Sequence, residues 1–188
     1  MQADLEIRTS ASLALEQRAD APPMLVGYAS TFATPYPVER VMETIDRRAF
    51  DRTLREMPDV FALMGHDQSR IIARTKNGTL QLRSDDVGLR VEITPVDTTE
   101  SRDAFALVQS GTIDSMSFGF RVVDQKFDTR DGQVFRNITD LDLYEVSLVA
   151  FPANPSARLS SRARELAQRM NIGATQYRLP TNPLWKRD

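Results

Sequence analysis

The chain has no cysteine among its 188 residues, and it has only one histidine and one tryptophan. The absence of cysteine excludes disulfides, thiolate nucleophiles and zinc sites built on thiolates, and it is consistent with a reducing compartment. A single histidine also excludes a metal site rich in imidazole. The sequence therefore implies neither a metal nor an organic cofactor.

Long apolar runs are missing as well. None approaches the ~20 residues that a helix needs to cross a bilayer, and residues 1–20 are too acidic and too interrupted for a secretory signal. The net charge is -2, from 24 basic and 26 acidic residues, so no global positive field favours nucleic acid or an anionic membrane. We expect a soluble cytoplasmic protein that binds neither.

The length and the 41% hydrophobic content suffice for one substantial core and are too small for two catalytic domains. We predict one folded domain over residues 25–170. A flexible N-terminal arm, residues 1–24, is expected to precede it, and a flexible tail, residues 171–188, to follow it.

Short apolar segments, several of them alternating with polar residues, dominate the predicted domain and are typical of strands. They cover residues 25–32, 60–64, 70–74, 80–82, 89–93, 116–122 and 134–151. Asp46 is predicted to cap a first helix, and Asp97 with Glu100 resembles a capping box for a second, which Gly111 ends. Apolar positions between residues 159 and 170 indicate a last helix.

The alternation of side chains along two predicted strands indicates the face toward which their polar residues point. Met116 and Phe118 share one strand face, so Ser117 is expected to point away from the core. In the last strand the apolar parity shifts between Leu143 and Tyr144, which predicts a bulge. After that bulge, residues 145 and 147 share the face opposite the apolar stripe.

A serine hydroxyl needs a base within hydrogen-bonding reach before it can attack an amide. His66, which stands where a predicted strand gives way to a loop, is the candidate base, and Ser117 is the candidate nucleophile. Glu145 is our choice for the carboxylate that orients the imidazole. Asp140 and Asp142 remain competitors for that role.

Structural roles are also open for each of these residues. A lone histidine is more often a hydrogen-bonding residue than a catalyst, and serine is common on strand faces. Gly119 could admit a neighbouring backbone, and Glu145 could pair with Arg121. Asp67 is a weaker competitor, because adjacent residues in extended chain point to opposite faces.

Six pieces of the sequence resemble, in family order, the prohead or capsid maturation proteases of tailed bacteriophages, which are related in fold to the herpesvirus assemblins. They are residues 27–30 with Phe32, 49–50 with Leu54, 63–67, 88–89, 111–114 leading to 117–120, and 143–149 followed by 151–155. Together they span most of the chain, from residue 27 onward.

The resemblance implies a β-rich α+β fold, with an assemblin-like closed or nearly closed β-barrel of about seven strands surrounded by a few helices. In it His66 matches the catalytic histidine, Ser117 the nucleophile and Glu145 the acidic third member. Ser115 stands where a glycine is common in the family, and it shares the parity of Ser117, which makes it a second candidate hydroxyl.

The implied function is that of a serine endopeptidase in the host cytoplasm, within the immature capsid. It would cleave the scaffold protein, or the scaffolding region of the major capsid protein, and also itself. The assemblins suggest a homodimer or higher oligomer by analogy. The alternatives are a non-enzymatic capsid-associated scaffolding or assembly module, and an unrelated β-barrel hydrolase or ligand carrier.

Overall fold

A computed structural model of the chain describes residues 5–10, 13–18, 21–32, 35–56 and 59–150. These residues contain eleven strands and two helices, which confirms the predicted β-rich architecture with few helices. The strands are β1 (Glu6–Ser10), β2 (Leu13–Arg18), β3 (Ala21–Thr31), β4 (Tyr36–Val38), β5 (Val41–Ile45), β6 (Phe61–Met64), β7 (Asp67–Arg74), β8 (Leu80–Ser84), β9 (Gly88–Ile93), β10 (Ser115–Arg130) and β11 (Gln133–Val149). The helices are α1 (Asp51–Arg55) and α2 (Thr99–Gln109).

The described strands form two sheets. The larger has seven strands in the order β1-β10-β11-β5-β4, with β6 paired to both β11 and β7, and the smaller has the order β2-β3-β9-β8. Pairing is antiparallel except where β11 meets β5 and β6, which run parallel to it. The pairings of the described strands close neither sheet, so the predicted barrel of about seven strands is not confirmed.

Apolar side chains from both sheets and both helices form one core. Phe118 stacks on Phe120, with ring centroids 4.8 Å apart, and meets Phe50 edge-on at 5.7 Å. These three rings are among the largest fully buried side chains. The predicted inward face of the strand after residue 115 is therefore confirmed.

Around Ser117, the opposite face of β10 is buried as well. Ser117 does point away from the aromatic core, but it is 0% exposed. The reason is β1, which pairs antiparallel with β10 and places Thr9 opposite Ser117. Strands β1 and β2 lie within residues 1–24, the segment predicted to be a flexible arm, and sequence analysis predicted neither.

The bulge predicted near residues 143–144 is confirmed. Gly119 lies opposite Glu145 while the next residue, Phe120, lies opposite Leu143, so Tyr144 is the extra residue of β11. Beyond this bulge Glu145 and Ser147 lie on one face of the strand.

The first helix is shorter than predicted. Asp46 accepts hydrogen bonds from the backbone N–H groups of Arg48 and Ala49, through its side chain and its carbonyl respectively. These bonds close a turn, and the helix begins only at Asp51. Asp46 is thus a turn residue, and no side chain caps α1.

The second helix begins one residue later than the capping box implied. The side chain of Thr98 accepts the N–H of Ser101 at 3.2 Å, while Asp97 pairs with Arg102. Gly111, at φ +71°, follows the helix end as predicted. No helix within the described residues is long and apolar enough to span a membrane. The helix predicted between residues 159 and 170 and the tail, 171–188, lie outside the described residues.

A cluster of paired charges ties β1 to other strands of the larger sheet. Arg8 contacts Glu43 at 2.5 Å and Glu6 at 2.6 Å, and Arg136 bonds the same two carboxylates at 3.0 and 2.7 Å. The Tyr36 hydroxyl donates to Glu43 at 2.7 Å. Glu43 is fully buried, a position that a carboxylate occupies at acceptable cost only when its oxygens are paired.

We predict that Glu6→Gln lowers the free energy of unfolding by about 1 kcal/mol at neutral pH, and that the difference disappears in acid. Burial alone would raise the pKa of Glu6, but its hydrogen bonds and charge interactions with Arg136 and Arg8 hold that pKa below its ordinary value. The contribution is therefore complete above the ordinary glutamate pKa and is lost as pH falls through the lowered one.

Urea unfolding of both proteins from about pH 7 to about pH 2 measures this difference. Glu56→Gln is the control, because its carboxylate makes an exposed pair with Arg52 and should contribute little. A Glu6 effect that persists unchanged below about pH 3 would contradict the charge assignment.

Candidate active site

His66 stands in a left-handed turn directly after β6. Gly65 and His66 both have φ +63°, a conformation that glycine adopts freely and histidine seldom does. The Gly65 N–H donates to the carbonyl oxygen of Leu148 at 2.9 Å, and the His66 N–H donates to Ser147 Oγ at 3.1 Å. Two hydrogen bonds to β11 thus hold the histidine backbone in place.

The imidazole of His66 contacts the carboxylate of Glu145, with 2.8 Å between Nδ1 and Oε1. Their side chains are 24% and 10% exposed. An ionised carboxylate only accepts hydrogen bonds, so Nδ1 carries the proton and Nε2 is left as the basic nitrogen. This arrangement makes Nε2 the ring nitrogen that can accept a proton.

The second oxygen of Glu145 is also engaged. Ser147 Oγ donates to Oε2 at 2.5 Å, and Ser147 is 1% exposed. Hydrogen bonds to an ionised acceptor are short and strong. Both carboxylate oxygens therefore have fixed partners.

Gly119 provides the space that this carboxylate occupies. It lies opposite Glu145 in the β10–β11 ladder, and a Cβ at position 119 would stand 2.5 Å from Glu145 Oε1 and 3.2 Å from Cδ. Sequence analysis suggested that this glycine admits a backbone. The structure shows that it admits a side-chain carboxylate.

Ser117 lies on the same face of the ladder, opposite Ser147 in β11. Its Oγ donates a hydrogen bond to the carbonyl oxygen of Arg8 at 2.9 Å. In this bond the hydroxyl is the donor and the carbonyl oxygen of β1 is the acceptor. The structure thus brings His66 and Glu145 into contact and sets Ser117 on the adjoining strand, covered by β1.

The competing carboxylates have other partners. Arg52 binds Asp140 at 2.9 Å and Asp142 at 2.6 Å. Asp67 is exposed and accepts hydrogen bonds from the hydroxyl and the backbone N–H of Ser69, which lower the pKa of its carboxyl. Among the candidates named from the sequence, Glu145 is the one that the structure places against the imidazole.

Two further alternatives also have defined contacts. Ser115 lies opposite Val149, two residues before Ser117 and on the same face of β10. Its hydroxyl donates to Asp114 at 2.8 Å. Arg121 stands over the ring of Tyr144 at 5.3 Å, so its guanidinium has an aromatic neighbour. Within the described part of the chain, no three metal-binding side chains come together.

Sequence analysis missed two contributors to the site. Ser147 was placed on the face of Glu145, but its hydrogen bonds to the carboxylate and to the His66 backbone were not foreseen. Arg8 carried no local signal, because the bond between its carbonyl and Ser117 joins residues 109 positions apart.

The chain was compared with family models, with curated proteins and with solved structures. Residues 9–171 match the family model described as caudovirus prohead serine protease. Over 117 residues the chain is 33% identical to the Prohead protease of Escherichia phage T5, covering 61% of this chain and 49% of that protein. The chain therefore spans about half the length of this curated relative. Among solved structures, the capsid assembly protease of bacteriophage T4 aligns at 13% identity and a TM-score of 0.48, over 81% of this chain and 100% of that one.

We predict that Gly119→Ala separates Glu145 from His66, because the added Cβ occupies the position of the carboxylate. The chain has a single histidine, so the Nδ1 proton in a strong hydrogen bond gives one assignable downfield NMR resonance. That resonance should disappear, and the free energy of unfolding should fall by about 1–3 kcal/mol through overpacking. Val123→Ala, at an exposed position of β10, is the control. A Gly119→Ala spectrum identical to that of the unmodified chain would refute the steric argument.

Proposed function

The chain belongs to the caudovirus prohead serine protease family, and on this premise we propose that it is a serine endopeptidase with His66, Ser117 and Glu145 as its catalytic residues. The observation that carries the proposal is the contact between the sole imidazole and a buried carboxylate, on the strand face that also bears Ser117. Hydroxyl-based acyl transfer requires a base oriented by such a carboxylate, together with a hydroxyl that the base can reach.

In the proposed reaction, His66 Nε2 takes the proton of Ser117 as Oγ attacks the scissile carbonyl. Glu145 stabilises the imidazolium that forms and keeps the ring in the tautomer with the proton on Nδ1. His66 then returns the proton to the leaving amine, and water hydrolyses the acyl-enzyme by the same steps in reverse. Because Glu145 already has two hydrogen-bond partners, it need not reorganise as charge develops.

The proposed substrate is the scaffold protein or the scaffolding region of the major capsid protein, cut inside the prohead during maturation. The support is the family description and the name of the phage T5 relative. Self-cleavage and self-association belong to the same proposal. The three proposed catalytic side chains come from one chain, so a dimer is not needed to complete them.

The strand β1 must leave the edge of β10 before such a reaction can begin. Ser117 is fully buried, and its hydroxyl donates to the carbonyl oxygen of Arg8. Once β1 moves aside, that proton can turn to His66, and the exposed edge of β10 can pair with an extended substrate segment by strand addition. The paired charges of Arg8 and Glu43 oppose this movement.

We predict that Ser117→Ala abolishes cleavage of the phage's major capsid protein while leaving the fold intact, because the proposed nucleophile is lost. A loss of about 10⁴-fold or more is expected for a missing nucleophile. Gel analysis of capsid protein incubated with the purified chain measures it.

Ser115→Ala is the matched control and should cleave normally. Undiminished cleavage by Ser117→Ala would end the assignment. If His66→Ala leaves particle maturation unaffected, the chain would instead be an assembly module without protease activity.

We further predict that Arg8→Ala speeds cleavage several-fold at early times, because β1 loses its ion pair with Glu43 and leaves β10 more often. Glu43 keeps Arg136 and Tyr36 as partners in this variant. Time courses of substrate cleavage measure the effect. Arg83→Ala, at an exposed ion pair, serves as the comparison and should match the unmodified chain. Slower cleavage by a folded Arg8→Ala protein would show that β1 assists the reaction instead of opposing it.

A further inference from the structure

We propose that Ser147 is a positioning residue for the histidine and the carboxylate, and that its single hydroxyl holds both in the geometry that proton transfer needs. The inference rests on the proposed function, since it concerns the same site. It assigns no contact between Ser147 and substrate.

The hydroxyl first fixes the carboxylate. Ser147 Oγ donates to Glu145 Oε2 at 2.5 Å, while Oε1 accepts from His66 Nδ1 at 2.8 Å. Both Ser147 and Glu145 are buried, so bulk water cannot readily replace a lost bond. An ionised oxygen left without its donor in such a place is costly. Ser147 therefore prevents the carboxylate from rotating away from the ring.

The same hydroxyl also fixes the histidine backbone. The His66 N–H donates to Ser147 Oγ at 3.1 Å, and His66 has the unfavourable φ of +63°. A left-handed histidine persists only where its surroundings hold it there. Ser147 accepts this bond with a lone pair and uses its proton for Glu145, so each contact polarises the hydroxyl in favour of the other.

Serine is suited to this position because the role requires a donor and an acceptor on one small atom. Alanine offers neither, and cysteine offers both weakly. The direction of the Ser147 proton also separates it from the nucleophile, because that proton goes to the carboxylate. Ser117 and Ser147 thus lie opposite each other in the β10–β11 ladder and have different proposed roles, as nucleophile and as positioning residue.

Ser147→Ala is expected to lower kcat about 10- to 100-fold, the range for losing a hydrogen bond to a charged group, with KM little changed. Ser147→Thr, which keeps the hydroxyl, should recover much of that loss. The matched control is Ser115→Ala, another buried serine of the same ladder whose hydroxyl bonds its neighbour Asp114. Its kcat should equal that of the unmodified chain.

Amide hydrogen exchange gives a readout that does not depend on cleavage. In Ser147→Ala the His66 amide should exchange about tenfold faster, the factor for losing one neutral hydrogen bond. The Gly65 amide, bonded to the Leu148 carbonyl, should not change. The downfield Nδ1 proton resonance of the sole histidine should also weaken.

If Ser147→Ala does not fold, Ser147→Cys decides the question, because a thiol is close in size and a weak hydrogen-bonding group. This variant should show a smaller loss of kcat and a smaller increase in the exchange rate of the His66 amide. Normal kcat together with normal His66 exchange, in whichever variant folds, would overturn the inference.

The two proposals fail in different ways. Cleavage that survives Ser117→Ala would remove the proposed function, whereas the exchange rate at His66 would still test the positioning by Ser147. Conversely, an inactive Ser117→Ala protein beside a fully active Ser147→Ala protein would remove only the positioning role.

Discussion

The antiparallel pairing of β10 with β11 is the constraint on which the rest of the site depends. Its register, with one extra residue at Tyr144, sets Gly119 against Glu145 and Ser117 against Ser147. A one-residue slip would send every side chain of one strand to the opposite face. The parallel attachment of β6 to β11 then brings the chain to Leu148 just before His66. One ladder therefore positions the histidine, the carboxylate and both serines.

The part of this ladder around Ser117 is buried on both faces, by different chemistry on each. One face carries the aromatic core around Phe118, which gains stability from apolar area removed from water. The other face buries polar groups, which are tolerable only when each is hydrogen-bonded. Glu145 satisfies this requirement through its two oxygens, and Glu43 satisfies it through Arg8, Arg136 and Tyr36. On the polar face, hydrogen bonds therefore fix the positions of the side chains, as packing does on the apolar face.

Side-chain parity explains why much of this site could be predicted from the sequence. The alternation after Ser115 gave the inward face of β10, and the shift at Tyr144 gave the bulge that turns Glu145 and Ser147 to one side. The covering strand could not be predicted in the same way. Glu6 and Arg8 do not form an apolar stripe, and their partners, Glu43 and Arg136, are distant in the sequence. The start of α1 was misplaced because Asp46 can serve a turn as well as a helix cap.

Most groups of the proposed catalytic site already have the contacts that the proposed reaction needs. The carboxylate has both oxygens bonded, the imidazole donates its Nδ1 proton to one of them, and Gly119 has no side chain that would displace the carboxylate. Preorganised groups of this kind need no rearrangement when charge develops. The Ser117 hydroxyl donates a hydrogen bond to the Arg8 carbonyl of β1. In the proposed mechanism, the remaining free-energy cost lies in moving β1, because the histidine and the carboxylate are already in contact. Factors that loosen the ion pairs of β1 should then change the proportion of molecules in which Ser117 is accessible.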